Sequence, residues 1–253
     1  MREHEPLYLH DIVLPKEVEK PRRGFDLDRE FGEGTKERIT KALQDDLRSS
    51  LILGFSSPTA ENAAYLRILT GERFGTIKEE EEDMEDMEED MEDMIEALEE
   101  GAELSLREGA NPYYAVEDAA FFRILTGERF GTKEEQERMI EALQEEMRSR
   151  FERGDDLNLA RNAALLRILT GERFGDTEEQ DRMINALKEG MRSSLERKTS
   201  VGDRNAAKDA ADLRILRAHD ITFIPGKGIE IIDEPPEEYQ PQAKIPLPEV
   251  RKF

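Results

Sequence analysis

The sequence predicts an all-α protein: four stacked helical hairpins made of internal repeats, with extended N- and C-terminal arms and a small C-terminal β-hairpin. Three observations predict it. The stretch LRILTGERFG at 66–75 returns as FRILTGERFG at 122–131 and as LRILTGERFG at 166–175, then fades into LRILRAHD at 213–220. Between the copies apolar residues recur in steps of four, which marks one face of a helix. A glycine follows each ILT, where a left-handed helix C-cap residue belongs.

Composition agrees with long, solvent-rimmed helices around a thin core. Charged residues make up 38% of the 253-residue chain and apolar residues 37%, against roughly a quarter charged in an average domain. There is no cysteine, which excludes disulfides and thiolate metal sites. No apolar run approaches the ~18 residues of a membrane span, and the N-terminus has no signal-peptide apolar region, so a soluble chain with no membrane partner is expected. The net charge of −23 would repel phosphate backbones, so direct duplex binding is not expected.

Residues 1–30 read as an extended arm lying on a partner. Pro6, Pro15 and Pro21 interrupt any helix, and His10-Asp11 splits the two short apolar runs. A basic patch, Lys20-Pro21-Arg22-Arg23, lies near its end.

The helical body is expected over 31–218, as repeats of about 31–70, 71–126, 127–170 and 171–218. In each hairpin a first helix starts near Thr35, Thr76, Thr132 or Thr177. The last three threonines open a capping box with Glu79, Glu135 and Gln180, whereas Arg38 takes that place after Thr35. Its apolar stripe runs Ile39, Leu43, Leu47, then Met139, Leu143, Met147, Phe151, then Met183, Leu187, Met191, Leu195. The second helix is apolar around nearly its whole circumference at 62–69, 119–125 and 163–169, as the buried member of a hairpin would be. Phe74, Phe130 and Phe174 are placed to plug the joint between successive hairpins.

The second hairpin carries an insertion. Phe74 to Leu98 spans 24 residues, whereas Phe130 to Leu143 and Phe174 to Leu187 span 13 each. The extra 11 residues are almost three helical turns, so the insert reads as a lengthened helix that keeps its face in register. It contains the acidic run 79–100, with 15 acids and no base. Met84, Met87, Met91, Met94 and Leu98 fall at coiled-coil spacing, and methionine packs well against irregular surfaces. This helix reads either as a solvated acidic face over a core stripe or as a projection that docks on a basic partner.

After Asp220, the runs 221–224 and 229–232 flank Pro225-Gly226-Lys227-Gly228, a β-hairpin with a four-residue turn. A lone hairpin is marginal in water, so it must lie on the helices or pair with another sheet. Prolines 235, 236, 241, 246 and 248 then mark a polyproline-like tail, which makes 219–253 the C-terminal arm.

No catalytic, cofactor-binding or metal-binding residue is assigned. His4, His10 and His219 all lie outside the repeat cores, with His219 placed at the end of the last helix. Gly32-Glu33-Gly34-Thr35-Lys36 lacks phosphate-loop spacing, and Asp26-Leu27-Asp28 lacks the glycine and final glutamate of a calcium loop. Arg67, Arg123, Arg167 and Arg214 recur in apolar helices, together with a Glu-Arg pair in each TGERFG. Recurrence in every repeat suits inter-repeat ion pairs and cap contacts better than catalysis. The expectation is a non-enzymatic structural or interaction protein whose arms anchor the body to protein subunits of a larger assembly. A virion component, capsid-decorating or connector, is its concrete form, and homo-oligomers are admitted. Partner-binding side chains are expected at Met84, Met87, Met91, Met94, Phe223 and Ile231. The alternative is an acidic adaptor that binds a basic partner surface through residues 79–100.

Overall fold

A computed structural model describes residues 25–71, 84–107 and 110–233, with the side chains of its fourth helix given from Met91 onward. Residues 1–24 and 234–253 of the expected arms, and with them Thr76, Glu79 and Phe74, lie outside these residues, while 25–30, expected as extended arm, include the start of a helix. The body begins earlier than the repeats do: a short helix α1, Leu27–Phe31, packs on the first hairpin and buries Leu27.

The four hairpins are α2 (Thr35–Ile52) with α3 (Ser56–Thr70), α4 (Met84–Leu106) with α5 (Ala115–Thr126), α6 (Lys133–Arg153) with α7 (Asp156–Thr170), and α8 (Thr177–Glu196) with α9 (Ser200–Arg217). The stripe of each first helix is fully buried at Ile39, Leu43, Met139, Leu143, Met147, Met183, Leu187 and Met191. Burial of each such side chain contributes on the order of 1.5–3 kcal/mol. In α4 the same role falls to Met94, Leu98, Ala102 and Leu106. This helix starts at Met84, fourteen residues before Leu98, whereas α6 and α8 start ten before Leu143 and Leu187. The lengthening is therefore real by at least one turn.

Helix ends follow the repeat with one shift. Thr132 and Glu135 form the expected capping box. In the fourth hairpin Asp176 and Glu179 form it, one residue ahead of Thr177 and Gln180, because the aspartate carboxylate takes the cap first. Gly71, Gly127 and Gly171 all adopt left-handed C-caps. Where the fourth copy replaces Thr-Gly by Arg217-Ala218, the backbone leaves the helix extended at Ala218 and runs straight into β1, Ala218–Ile224. It pairs antiparallel with β2, Gly228–Asp233, around a turn one residue shorter than expected.

The arrangement differs from an open stack. Helix α3 packs on α5, α5 on α7, α7 on α9, and α9 returns to α3, so the four second helices close a ring. Each first helix sits outside, in the groove between its own partner and the preceding second helix; α2 closes the circuit by lying between α3 and α9. Alanines at each crossing (Ala60, Ala64, Ala120, Ala164, Ala207 and Ala211 among them) have no exposed surface, which lets the inner helices approach closely.

The seam joining the first and fourth hairpins has no covalent connection and is dense in ion pairs. Arg38 meets Asp203 at 3.0 Å, Arg204 meets Asp46 at 2.5 Å, and Lys208 meets Glu61. Glu30 takes both Arg217 and Lys188. Burial works to raise the Glu30 carboxyl, but these two cations hold it below its ordinary range. Half-exposed pairs are individually weak, so their main effect is on register, with the buried alanine crossings supplying most of the cohesion.

Candidate functional site

Ring closure makes the four inner helices parallel, and each end of the ring gathers four equivalent structures. At one end lie four helix C-termini, whose last carbonyls lack intrahelical partners and whose dipoles sum to negative charge. The recurring arginines answer both needs. Arg123 of α5 donates to the Ile168 carbonyl at 2.8 Å and to that of Leu169, at the end of α7. Arg167 donates to Ile215 and Leu216 at 2.8 Å, at the end of α9, and to Ala218 at 2.5 Å. Arg214 crosses the seam to Ile68 at 2.5 Å and Leu69 at 3.1 Å, at the end of α3. These contacts are carbonyl caps passed round the ring; Arg214 also pairs with a carboxylate, Asp233.

The fourth step is different. Arg67 of α3 donates to Lys227 and Ile229 in the β-hairpin. Gly228 of that hairpin lies against the carbonyls of Ile124 and Leu125, the end of α5 that an arginine would otherwise cap. Phe223 stacks on Arg123, 3.9 Å from the guanidinium carbon, and burial with Arg129 nearby lowers that guanidinium to about 10. The β-hairpin is thus part of this end of the ring, and Phe223 and Ile231 are half-buried against its core.

Between α5, α6 and α7 is a dimple of about 140 Å³ lined by Arg129, Phe130, Gln136 and Met139. A smaller one at Arg173, Phe174, Gln180 and Met183 occupies the equivalent place in the next repeat. Recurrence marks both as packing joints beside the expected phenylalanine plugs. Phe130 is buried edge-on to Phe122 at 5.9 Å.

The other end of the ring carries the turns between first and second helices. Apart from Ile232, every exposed large apolar side chain among the described residues lies here: Ile52, Leu53, Phe55, Leu104, Tyr114, Phe151 and Val201. Each hairpin contributes at least one. Phe55 is 55% exposed and Tyr114 69%. Contiguous exposed apolar groups rimmed by polar ones mark interaction surfaces in soluble proteins.

Inside this rim lies the densest set of buried polar groups. Six residues before each repeated arginine stand Glu61, Glu117, Arg161 and Lys208; two before stand Tyr65, Phe121, Leu165 and Asp212. Arg161 forks onto Asp209 at 2.8 and 3.1 Å, and Tyr65 meets Phe121 edge-on at 5.4 Å. One residue after the first set come Asn62, Asp118 and Asp209, aimed at the outer helices, and Asn162, which accepts from the Tyr113 hydroxyl at 3.1 Å. The outer helix adapts to them: Asn62 faces the Asp46 carboxylate at 2.8 Å, whereas Asp118 and Asp209 face glycines, Gly101 and Gly190, where a side chain would collide with their carboxylates.

Burial raises these carboxyls. Asp118 is pushed up to about 6, first by burial and then by Glu117 and Glu61. Burial and Asp209 push Asp212 well above its ordinary range; burial raises Asp209 further than Arg161 brings it back. Glu117 opens to solvent, yet surrounding protein and Glu61 raise it too. A carboxyl raised in the fold contributes stability that is complete below its unfolded value, about 4, and is lost as pH rises through the folded value. Glu30, Glu135 and Asp155 are lowered, and their contribution disappears as pH falls below about 4. The thermal midpoint is therefore expected to peak near pH ~5 and to fall toward neutrality, where the charge of −23 adds self-repulsion. A midpoint rising steadily from pH ~5 to ~8 would contradict this assignment.

The sequence-predicted partner residues divide. Met94 is 1% exposed and belongs to the core, and Met91 is half-buried against it. Met84 and Met87 stand in the first turn of α4, with side chains outside the described residues. The outward face of α4 remains acidic and exposed at Glu92, Asp93, Glu96, Glu99 and Glu100. Neither the apolar rim nor the axial carboxyls were singled out from sequence. Asp212 did leave a signal, since the other repeats hold Tyr, Phe and Leu at its position.

His219 is exposed on β1, while His4 and His10 fall outside the described residues. Among the described residues, no three histidine or carboxylate side chains converge as a metal-ligand set. Comparison with known proteins finds no matching family model, no matching curated protein and no matching solved structure.

Proposed function

We propose that this chain is a non-catalytic interaction protein of a larger assembly, a closed helical ring that docks a partner protein on the face formed by its four helix-to-helix turns. The observation that carries this reading is the one-sided distribution of exposed apolar side chains. A monomer with no partner would be expected to scatter such residues, but here they gather around one end. Opposite them, Phe25 and Asp233 lie beside Arg217 and Arg214 at the arginine end, so the described body begins and ends away from the docking face.

The test compares wild type with a Phe55→Asp/Tyr114→Asp/Phe151→Asp variant as bait, with quantitative mass readout. Phe55 and Tyr114 are mostly in solvent and Phe151 is 39% exposed beside Arg182, so the variant should stay folded, with a loss of about 1–2 kcal/mol. A partner retained by wild type and lost by the variant supports the rim as docking surface. A partner held equally by both moves the contact elsewhere, with the acidic face of α4 next in line. Reversing Glu92, Glu96 and Glu99 to lysine would then abolish retention.

A further inference from the structure

The docking face has a floor. On the axis beneath the rim, Lys208 is taken by Glu61 and Arg161 by Asp209, while Glu117 has no ion pair or hydrogen bond among the described residues. One turn deeper lies Asp212, 6% exposed, which also makes no hydrogen bond or ion pair to any described residue. The groups that act on it electrostatically are Asp209, Arg161, Glu117 and Lys208, and it acts in turn on Tyr65. These come from all four inner helices, so the Asp212 carboxyl faces the axis.

A buried carboxyl without a partner is costly, and proteins retain one where something pairs with it. With Lys208 taken by Glu61 and Arg161 by Asp209, Glu117 and Asp212 are left without a base among the described residues. Burial is the first cause of the upward displacement of Asp118, Glu117 and Asp212, and neighbouring carboxylates add to it. The carboxylates do not converge as a metal-ligand set among the described residues, which disfavours a divalent ion. The walls suit an organic cation. Tyr65 and Phe121 flank the floor, and the Tyr65 ring already has an ammonium, Lys208 Nζ, 5.6 Å from its centroid.

We propose that the rim end of the ring axis receives one cationic side chain of the docked partner, a guanidinium or ammonium that enters at the exposed Glu117 and is paired by Glu117 and Asp212 beside Tyr65. This rests on the docking reading for the direction of entry. The rim would then supply apolar contact area and the axis the selectivity, since a neutral side chain would leave Asp212 and Glu117 unanswered.

The experiment uses the full chain and three probes in ~150 mM salt: N-acetyl-arginine methylamide, its neutral norleucine counterpart, and magnesium chloride. Binding is followed by calorimetry and by protein NMR shifts. The arginine probe should bind saturably, one per chain, and the norleucine probe should not. Asp212→Asn and Glu117→Gln should each weaken binding by roughly tenfold or more, while Glu92→Gln on the exposed face of α4 should leave it unchanged. Both axial variants should still unfold cooperatively, because each keeps the shape of the side chain it replaces. Three results would overturn the proposal: no saturable binding, binding equally strong in both axial variants, or magnesium binding with the same sensitivity to them. Should Asp212→Asn leave partner retention intact while the rim variant abolishes it, the docking face stands and the axial site falls.

Discussion

Replacing Arg167 with alanine is expected to destabilise the protein by about 3–5 kcal/mol, among the largest single-residue effects in the chain. The guanidinium is 3% exposed and is the donor to three carbonyls, those of Ile215, Leu216 and Ala218. Truncation would take this donor from the Ile215 and Leu216 carbonyls at the end of α9, where the dipoles of four parallel helices already concentrate negative charge, while Ala218 keeps its bond from Arg173 at 2.7 Å. Arg167→Lys should recover less than half of the loss. An ammonium restores the charge but cannot reproduce the planar fork that reaches two successive carbonyls and a third beyond them. Urea unfolding of wild type and the two variants measures both quantities. A loss below about 1 kcal/mol for the alanine variant would remove the arginine relay from the causes of ring stability.

The second large effect is expected at Gly127 and has its controls within the same chain. Gly71, Gly127 and Gly171 are equivalent C-caps with φ of +77°, +79° and +83°. At Gly71 and Gly171 an added methyl group meets open space, so alanine there costs only the left-handed strain, about 1 kcal/mol. At Gly127 the methyl would fall inside contact distance of the Ile224 carbonyl, in the backbone of β1. The reciprocal restriction holds at Gly228, pressed on the carbonyls of Ile124 and Leu125. Gly127→Ala should therefore cost about 2–4 kcal/mol and release the β-hairpin from the ring, with faster amide exchange along β1 and β2. Equal costs at the three glycines would mean that the hairpin does not rest on α5 as described.

Residues of the repeat made the hairpins legible before any coordinates. The four-residue steps, the Thr132–Glu135 box and the glycine after each ILT identify helices, their starts and their ends, because these are local effects. The β-hairpin after α9 was legible for the same reason: its two apolar runs flank a Pro-Gly turn. Closure was not legible. Whether hairpins form an arc or a ring depends on small rotations between neighbours accumulating to a full turn, and no single residue encodes that angle. The charges at the seam were visible but ambiguous. Arg204 stands where the other repeats hold Ser57, Tyr113 and Leu157, yet the end repeat of an open stack is also expected to be polar.

The rim and the axial carboxyls were hidden by the same gap. Phe151 reads as the last step of a buried stripe, yet it lies 39% exposed in the final turn of α6. Asp212 reads as one polar residue among many until four helices meet around it. The recurring arginines show the converse case: repetition announced ion pairs and cap contacts between repeats, and Arg123, Arg167 and Arg214 make carbonyl caps, with one ion pair from Arg214 to Asp233. Burial decides between them, since the free carbonyls of a helix end are already present and a carboxylate would have to be desolvated as well.

Ring closure underlies both the proposed docking face and the proposed axial site, and zero-length cross-linking with a carbodiimide tests it most directly. Lys208 touches Glu61 across the seam, 147 residues apart in sequence, and Lys188 lies 3.1 Å from Glu30. Lys133 and Glu137, 3.4 Å apart within α6, form a control pair that is present whether or not the ring closes. Mixing isotopically light and heavy chains excludes links between molecules. A closed ring predicts amide bonds joining Lys208 to Glu61 and Lys188 to Glu30 within single chains. Formation of the Lys133–Glu137 link without either seam link would show an open stack, and would contradict the ring.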